Sequence, residues 1–381
     1  MWEMVNNRRI LFGENRVDEI PSILKWYGLK KVFFVSGNSN PALRERICNA
    51  LETAGIGYYV YHDIQSEPDL KVVNAGRDRF VKEKCDCTLA VGGGSIIDAA
   101  KTIGMLVTNG GLAEDYQMNG RAVTQLPPFF IAVPTTAGTG AEATKVAVIK
   151  NNYNGLKKSI YHTTMIADVA ILDPVVTMGM PKLLTAATGM DALSHAIESY
   201  VSLDATPISE MYGLQAIRLI KKSLERACEH PDDVEARANM LIASYFGGCA
   251  ISAGIGIAHI MAQPIGAMYN IPHGDACSIF LPLAMEFNFE YATKKYADIA
   301  NALDVAVYGD SARNNALRAI EEVKRLRASI GAPTSLQAYL KGEKPDLNCM
   351  VETVKKTTGH IICNPRKVDE KVYTYIFNLA I

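Results

Sequence analysis

The chain of 381 residues predicts an α/β domain followed by an all-helical domain, and three observations carry that prediction. Up to about residue 180, short β-rich runs alternate with stretches of helical periodicity, the pattern of a mainly parallel sheet with helices on both faces. Beyond that point the helical period continues and the strand signal almost vanishes. Two glycine-rich or small-residue turns directly follow β-rich runs, at the strand ends where a doubly wound sheet receives its ligands. A chain of this length exceeds what one core supports, so the boundaries are set at 1–180 and 181–381.

The elements follow in order. KKVFFVSG (residues 30–37), GYYVYHDI (57–64), CTLAVGGG (87–94), PFFIAVPT (128–135) and VAILDP (169–174) read as strands, rich in β-branched and aromatic residues. Residues 41–54, 69–84 and 96–107 carry the helical period between them. In the second part LTAATGMDALSHAIESYVS, ISEMYGLQAIRLIKKSLERAC and SARNNALRAIEEVKRLRASIG are helical throughout. The apolar stretch 241–269 contains His259, Gln263 and Pro264 and many small residues, which suits two buried helices better than a membrane span.

Composition narrows the function classes. With 39 basic and 40 acidic residues the net charge is −1, which leaves no basic footprint for nucleic acid. The opening MWEMVNNRRILFG lacks the apolar core and cleavage site of a secretory leader. Eight cysteines occur without a CxxC pair, and Cys85 and Cys87 share one expected strand, a usage that fits a reducing cytoplasm.

Two motifs in the first domain point to phosphate. In VGGGSIIDAAK (residues 91–101) three glycines after a strand let the backbone turn tightly, and the next helix aims free N–H groups and its positive end at whatever lies there. A pyrophosphate fits there. The pattern is neither GxGxxG nor a Walker loop. In PTTAGTGAEAT (134–144) the hydroxyls of Thr135, Thr136 and Thr139 are available to phosphate, ribose or an amide. Together the two loops make a nucleotide site.

The second domain supplies a different chemistry. In GMDALSHAIESY, Asp191 and His195 are four residues apart and share one helix face. His259 and His273 lie in the other apolar stretch that holds histidines. Each alone reads first as a hydrogen-bonded core residue; together the four form an oxygen and nitrogen ligand set suited to iron, zinc, cobalt or nickel.

GGGSIIDAAK, PTTAGTGAEAT, GMDALSHAIESY, AHIMAQPIGAMYNIPHGD and the closing CNPRKV resemble, in order and separation, the iron-containing or group III alcohol dehydrogenases, almost end to end. The resemblance implies a Rossmann-like dinucleotide-binding domain, a helical metal domain and a homodimer. It implies Fe2+, with Zn2+ or another divalent metal as the alternative, on Asp191, His195, His259 and His273. It also implies a dinucleotide held by Gly93, Gly94 and Ser95 with Asp98 beside them, and by Thr135, Thr136, Thr139 and Lys157.

Two departures from the family matter. Members that prefer NAD often carry an acidic residue after the opening strand, where this chain has Gly37 followed by Asn38. Without a carboxylate to repel a 2′-phosphate the expected cofactor is NADP(H) rather than NAD(H), although no arginine stands next to Gly37 in the sequence. Many relatives also have a histidine one turn after the third ligand; here it is Gln263, which hydrogen-bonds but does not titrate near neutrality. The expected activity is hydride transfer between NAD(P)(H) and a small aldehyde or primary alcohol, in the cytoplasm, with neither nucleic acid nor membrane as partner. A polyol dehydrogenase of the wider superfamily is the alternative; a metallohydrolase would leave both nucleotide loops unexplained, and a non-catalytic nucleotide-binding protein would not need four ligands.

Overall fold

The computed structural model describes residues 2–64, 67–118, 120–153, 155, 157–356 and 363–381. Its strands are β1 (Arg9–Phe12), β2 (Lys31–Ser36), β3 (Gly57–Tyr61), β4 (Cys87–Gly92), β5 (Phe129–Pro134), β6 (Val146–Lys150), β7 (Lys157–Tyr161) and β8 (Val169–Leu172). In the first part the helices are α1 (Ile20–Trp26), α2 (Pro41–Thr53), α3 (Leu70–Lys82), α4 (Gly94–Asn109) and α5 (Ala113–Met118). The second part contains α6 (Lys182–Val201), α7 (Pro207–Glu229), α8 (Val234–Ala250), α9 (Ile257–Tyr269), α10 (His273–Ala302), α11 (Ala312–Ser329), α12 (Gln337–Leu340), α13 (Leu347–Lys355) and α14 (Glu370–Ala380). Among the described residues every strand lies in the first part, so the α/β and all-helical classes stand as the sequence predicts.

Contacts divide the chain into two compact units, one of Glu3–Thr136 and Gly140–Met178, the other of Ala137–Thr139 and Gly179–Ile381. In the first unit, six parallel strands run in the order β1-β8-β5-β4-β2-β3. Apart from the edge strand β1, this is the flavodoxin-like doubly wound order, with its switch point between β2 and β4. Alternate residues of one strand enter different cores. Phe33 and Val35 of β2 pack with the α3 and α4 side, while Val32 and Phe34 pack with the α1 and α2 side. Burial on both faces is why these strands read as continuous apolar runs.

The sequence reading lacks three strands. β1 is a four-residue edge strand that opens with arginine and leaves Ile10 and Phe12 exposed. The antiparallel hairpin of β6 and β7 carries lysines along its partly exposed length. Neither has the sustained apolar signal of a strand buried on both faces.

The second unit is built around one large core, to which α6, α7, α8 and α10 contribute buried side chains. The apolar stretch 241–269 forms two helices bent by 108° at their junction, and among the described residues no single helix is long and apolar enough to cross a membrane. Small residues let helices approach closely. A Cβ on Gly274, at the start of α10, would lie 2.0 Å from the Ala187 carbonyl oxygen of α6, so glycine is what allows α10 to begin against α6 there.

Candidate functional site

Asp191 and His195 lie one turn apart on α6, with Glu198 a further turn along the same face. Helix α9 brings His259 to this face, and α10 begins at His273 with Cys277 one turn later. Oδ1 of Asp191 stands at the centre, 3.7 Å from His195 Nε2, 3.4 Å from His259 Nε2 and 3.5 Å from His273 Nε2. The ring of His195 stacks on that of His259 with centroids 4.4 Å apart. Asp191, His195 and His259 are buried, while the His273 side chain is 38 % exposed and marks the open side of the cluster. All four expected ligands therefore come together.

Electrostatics follow from this packing. Burial alone would raise the Asp191 carboxyl, yet the imidazoles of His195, His273 and His259 outweigh it and hold it well below its ordinary range. Burial pushes His195 down to about 3, against the pull of Asp191. Nε2 of His259 is enclosed and makes no well-formed hydrogen bond among the described residues. A carboxylate oxygen faced by several ring nitrogens with unspent lone pairs suits a divalent cation, and the donor types fit iron as well as zinc.

Glu198 was not legible as a functional residue, although its i+7 spacing from Asp191 was the signal. Its Oε2 lies 2.6 Å from His259 Nδ1. Because a carboxylate can only accept, Nδ1 carries the proton and Nε2 is the atom turned towards Asp191. The same carboxylate accepts from the backbone N–H of Ala258 at 2.7 Å, while Oδ1 of Asn364 accepts from that of Ile257 at 3.3 Å. Helix α9 thus begins without a side-chain cap of its own and takes its caps from α6 and from the closing CNPRKV segment. A Cβ on Gly256 would lie 2.7 Å from Glu198 Oε1, which explains the glycine before the helix. Asn364 is fixed in turn by reciprocal hydrogen bonds with Asn288, at 3.0 and 2.8 Å.

Cys277 was also missed. Its Sγ lies 3.7 Å from Asp191 Oδ1 and 3.6 Å from His273 Nε2. The signal was the second i, i+4 pair, His273 and Cys277, which repeats the spacing of Asp191 and His195. Gln263 sits one turn after His259 on α9, half-buried.

In the α/β unit, Gly93 precedes α4 in extended conformation and provides no side-chain cap, which leaves the first N–H groups of Gly94 and Ser95 available to a ligand. The second loop lies against it: a Cβ on Gly93 would be 3.3 Å from Thr136, and the Thr135 N–H donates to the Gly92 carbonyl at 3.0 Å. Gly37 and Asn38 follow β2 at the switch point. The other expected cofactor residues have these surroundings. Oδ2 of Asp98 accepts from the Val148 N–H at 2.9 Å and ties β6 to α4. Lys157 pairs with Glu67 at the hairpin. Thr139 groups by its contacts with the helical unit. An arginine does stand beside Gly37: Nη1 of Arg44, on α2, donates to the Gly37 carbonyl at 3.2 Å and to Asn38 Oδ1 at 3.3 Å. The turn into α2 folds it back, which adjacency in sequence could not reveal.

Comparison with known proteins gives consistent matches. A family model described as iron-containing alcohol dehydrogenase matches residues 7–174, and one for the C-terminal part of the Fe-containing alcohol dehydrogenase family matches residues 185–380. The chain is 36% identical over 374 residues to a 1,3-propanediol dehydrogenase of Citrobacter freundii, covering 97% of this chain and 96% of that protein. It is 36% identical to an NAD-dependent methanol dehydrogenase of Bacillus methanolicus, covering 93% of each. A solved structure of a 1,3-propanediol oxidoreductase superposes with a TM-score of 0.95 at 34% identity over all of both chains.

Proposed function

The chain belongs to the iron-containing alcohol dehydrogenase family, and on that premise we propose that it is a metal-dependent alcohol dehydrogenase that reduces small aldehydes with NADPH. The observation that carries the reading is the convergence of Asp191, His195, His259 and His273 on one buried point. A divalent metal bound there supplies Lewis-acid polarisation of a carbonyl oxygen, and the nicotinamide supplies the hydride.

The chain's own residues set the geometry of both. Glu198 holds His259 in one tautomer and one orientation, so that the donor atom is in place before a ligand arrives. Gly93, Gly94 and Ser95 receive the pyrophosphate on the N-terminus of α4, and Thr135 and Thr136 line the same end of the sheet. Gln263 would orient substrate or water by hydrogen bonds and would supply no proton near neutrality, so the proton for the product oxygen has to come from a group other than this side chain. The homodimer belongs to the same reading, supported by the exposed apolar residues Ile10 and Phe12 on the edge strand β1.

The preference for NADPH rests on the lack of a carboxylate at Gly37 and on the Arg44 guanidinium beside it. Ferrous-loaded protein, kept anaerobic, is to be assayed with a panel of small aldehydes, including anionic ones. We expect kcat/KM to be higher with NADPH than with NADH, and Arg44→Ala to erase most of the difference. A clear advantage for NADH in the unaltered protein would contradict the cofactor assignment and leave the reaction class intact.

A further inference from the structure

We propose that Asn364 is a positioning residue for the metal site, and that residues 363–366 form a strap that sets where His259 stands. The inference rests on the proposed metal site and deepens it.

The strap reaches each helix that carries an expected ligand. Just after α6, the Leu203 N–H donates to the Cys363 carbonyl at 2.8 Å. On α10, Asn288 exchanges two hydrogen bonds with the Asn364 amide. Nη1 of Arg366 donates to the Phe287 carbonyl at 3.2 Å, with its guanidinium 4.3 Å from the Phe287 ring centre. Ahead of α9, the Cys363 thiol donates to the Ile255 carbonyl at 3.1 Å.

The start of α9 is where the strap bears on the site. Ile257, Ala258 and His259 open this helix inside the core, and two side chains receive their N–H groups. Oδ1 of Asn364 takes that of Ile257 at 3.3 Å, while the Glu198 carboxylate takes those of Ala258 and His259 at 2.7 and 3.4 Å. Oε2 of Glu198 also receives the ring proton of His259. The two acceptors converge on one point: a Cβ on Gly256 would lie 2.7 Å from Glu198 Oε1 and 3.0 Å from Asn364 Oδ1. Ile257 is fully buried, so its N–H depends on Asn364 rather than on solvent. Without the Asn364 oxygen, Glu198 is the acceptor left beside it. Satisfying that N–H draws the carboxylate away from the ring it orients, and Nε2 of His259 shifts with the ring.

An amide is what this position requires. Nδ2 of Asn364 donates to Asn288 Oδ1 at 2.8 Å and to the Arg366 carbonyl at 2.6 Å, so both ends of the side chain are spent. An aspartate would keep the acceptor but set a carboxylate against two oxygens and beside that of Glu198.

The test uses the full chain, stripped with a chelator and reloaded with zinc. Zinc affinity is read by competition with a chelator, alongside melting temperature and hydrogen exchange at residues 257–259. Asn364→Ala is expected to weaken zinc binding about tenfold, the low end of what an outer-sphere partner of a ligand is worth, and to speed that exchange. Ser311→Ala controls for stability alone: Ser311 caps α11 by accepting from the Asn314 N–H at 3.1 Å, so its loss should lower the melting temperature and leave zinc affinity unchanged. Asn288→Ala leaves Asn364 in place without its support and is expected to give a smaller loss, a second reading should Asn364→Ala fail to fold. Zinc affinity reduced no further in the asparagine variants than in Ser311→Ala would overturn the role of Asn364 and leave the metal site standing. Unaltered protein that binds neither zinc nor ferrous ion would overturn both.

Discussion

Each unit buries charge, but in different ways. In the α/β unit, the Lys101 ammonium donates to the Thr144 carbonyl and hydroxyl and to the Val146 carbonyl at 2.7, 2.9 and 2.8 Å, with Asp98 3.9 Å away. In the helical unit, Asp191 and three imidazoles meet around one oxygen, and among the described residues no lysine or arginine pairs with that carboxylate. The first arrangement pairs donors with acceptors and is a structural anchor between α4 and β6. The second gathers lone pairs that the protein itself leaves without a cation, and that difference marks the functional site.

If the comparison is right, breaking the helical cluster should abolish chemistry and leave nucleotide binding alone. His259→Ala is expected to lose its metal and its turnover while still binding NADPH, as measured by metal analysis and by fluorescence titration. One metal per chain with unchanged turnover would remove His259 from the site.

Glu198→Ala tests the support beneath that cluster. Outer-sphere partners of a metal-ligating histidine are typically worth about 10–100-fold in metal affinity. We expect a loss in that range by competition with a chelator, together with a lower melting temperature because α9 loses a cap. An unchanged metal affinity would reduce Glu198 to a helix cap.

The smallest effect distinguishes the units by pH. Burial raises Asp98 from 3.8 to about 6 and Glu142 from 4.5 to about 7, and lowers Lys101 from 10.5 to about 8. The two carboxyls bind protons more tightly in the folded state, so their contribution is complete below their ordinary values and is lost as pH rises through about 6 and 7. The cost of burying the Lys101 charge is relieved only as pH rises above about 8. Asp191 is shifted the other way, so its contribution is present at neutral pH and is lost in acid. Asp98→Asn should therefore flatten the fall in melting temperature between about pH 4 and 6. An undiminished slope would assign that pH dependence to other groups.

What the sequence made legible has a physical pattern. Buried parallel strands announce themselves as apolar runs, and ligands on one helix announce themselves by spacing, so the sheet core and the pair Asp191 and His195 could be read, while His259 and His273, on two other helices, were picked out by their apolar context. Interactions made by the folding-back of a loop could not. Arg44 reaches Gly37 through the turn into α2, and Asp98 is drawn to Val148 by a hairpin whose lysine-bearing strands hide its period. Glu198 and Cys277 occupy an intermediate case. Their helical spacing from Asp191 and His273 was visible, but a glutamate or a lone cysteine on an apolar face has no meaning until the helix opposite is in place.

The measurement that bears most directly on the account is a metal titration of the stripped protein, kept anaerobic, with aldehyde-dependent oxidation of NADPH as the readout. The account predicts negligible turnover without metal, and a rise with added ferrous ion that saturates at one per chain. Full turnover in protein shown to be free of metal would contradict it.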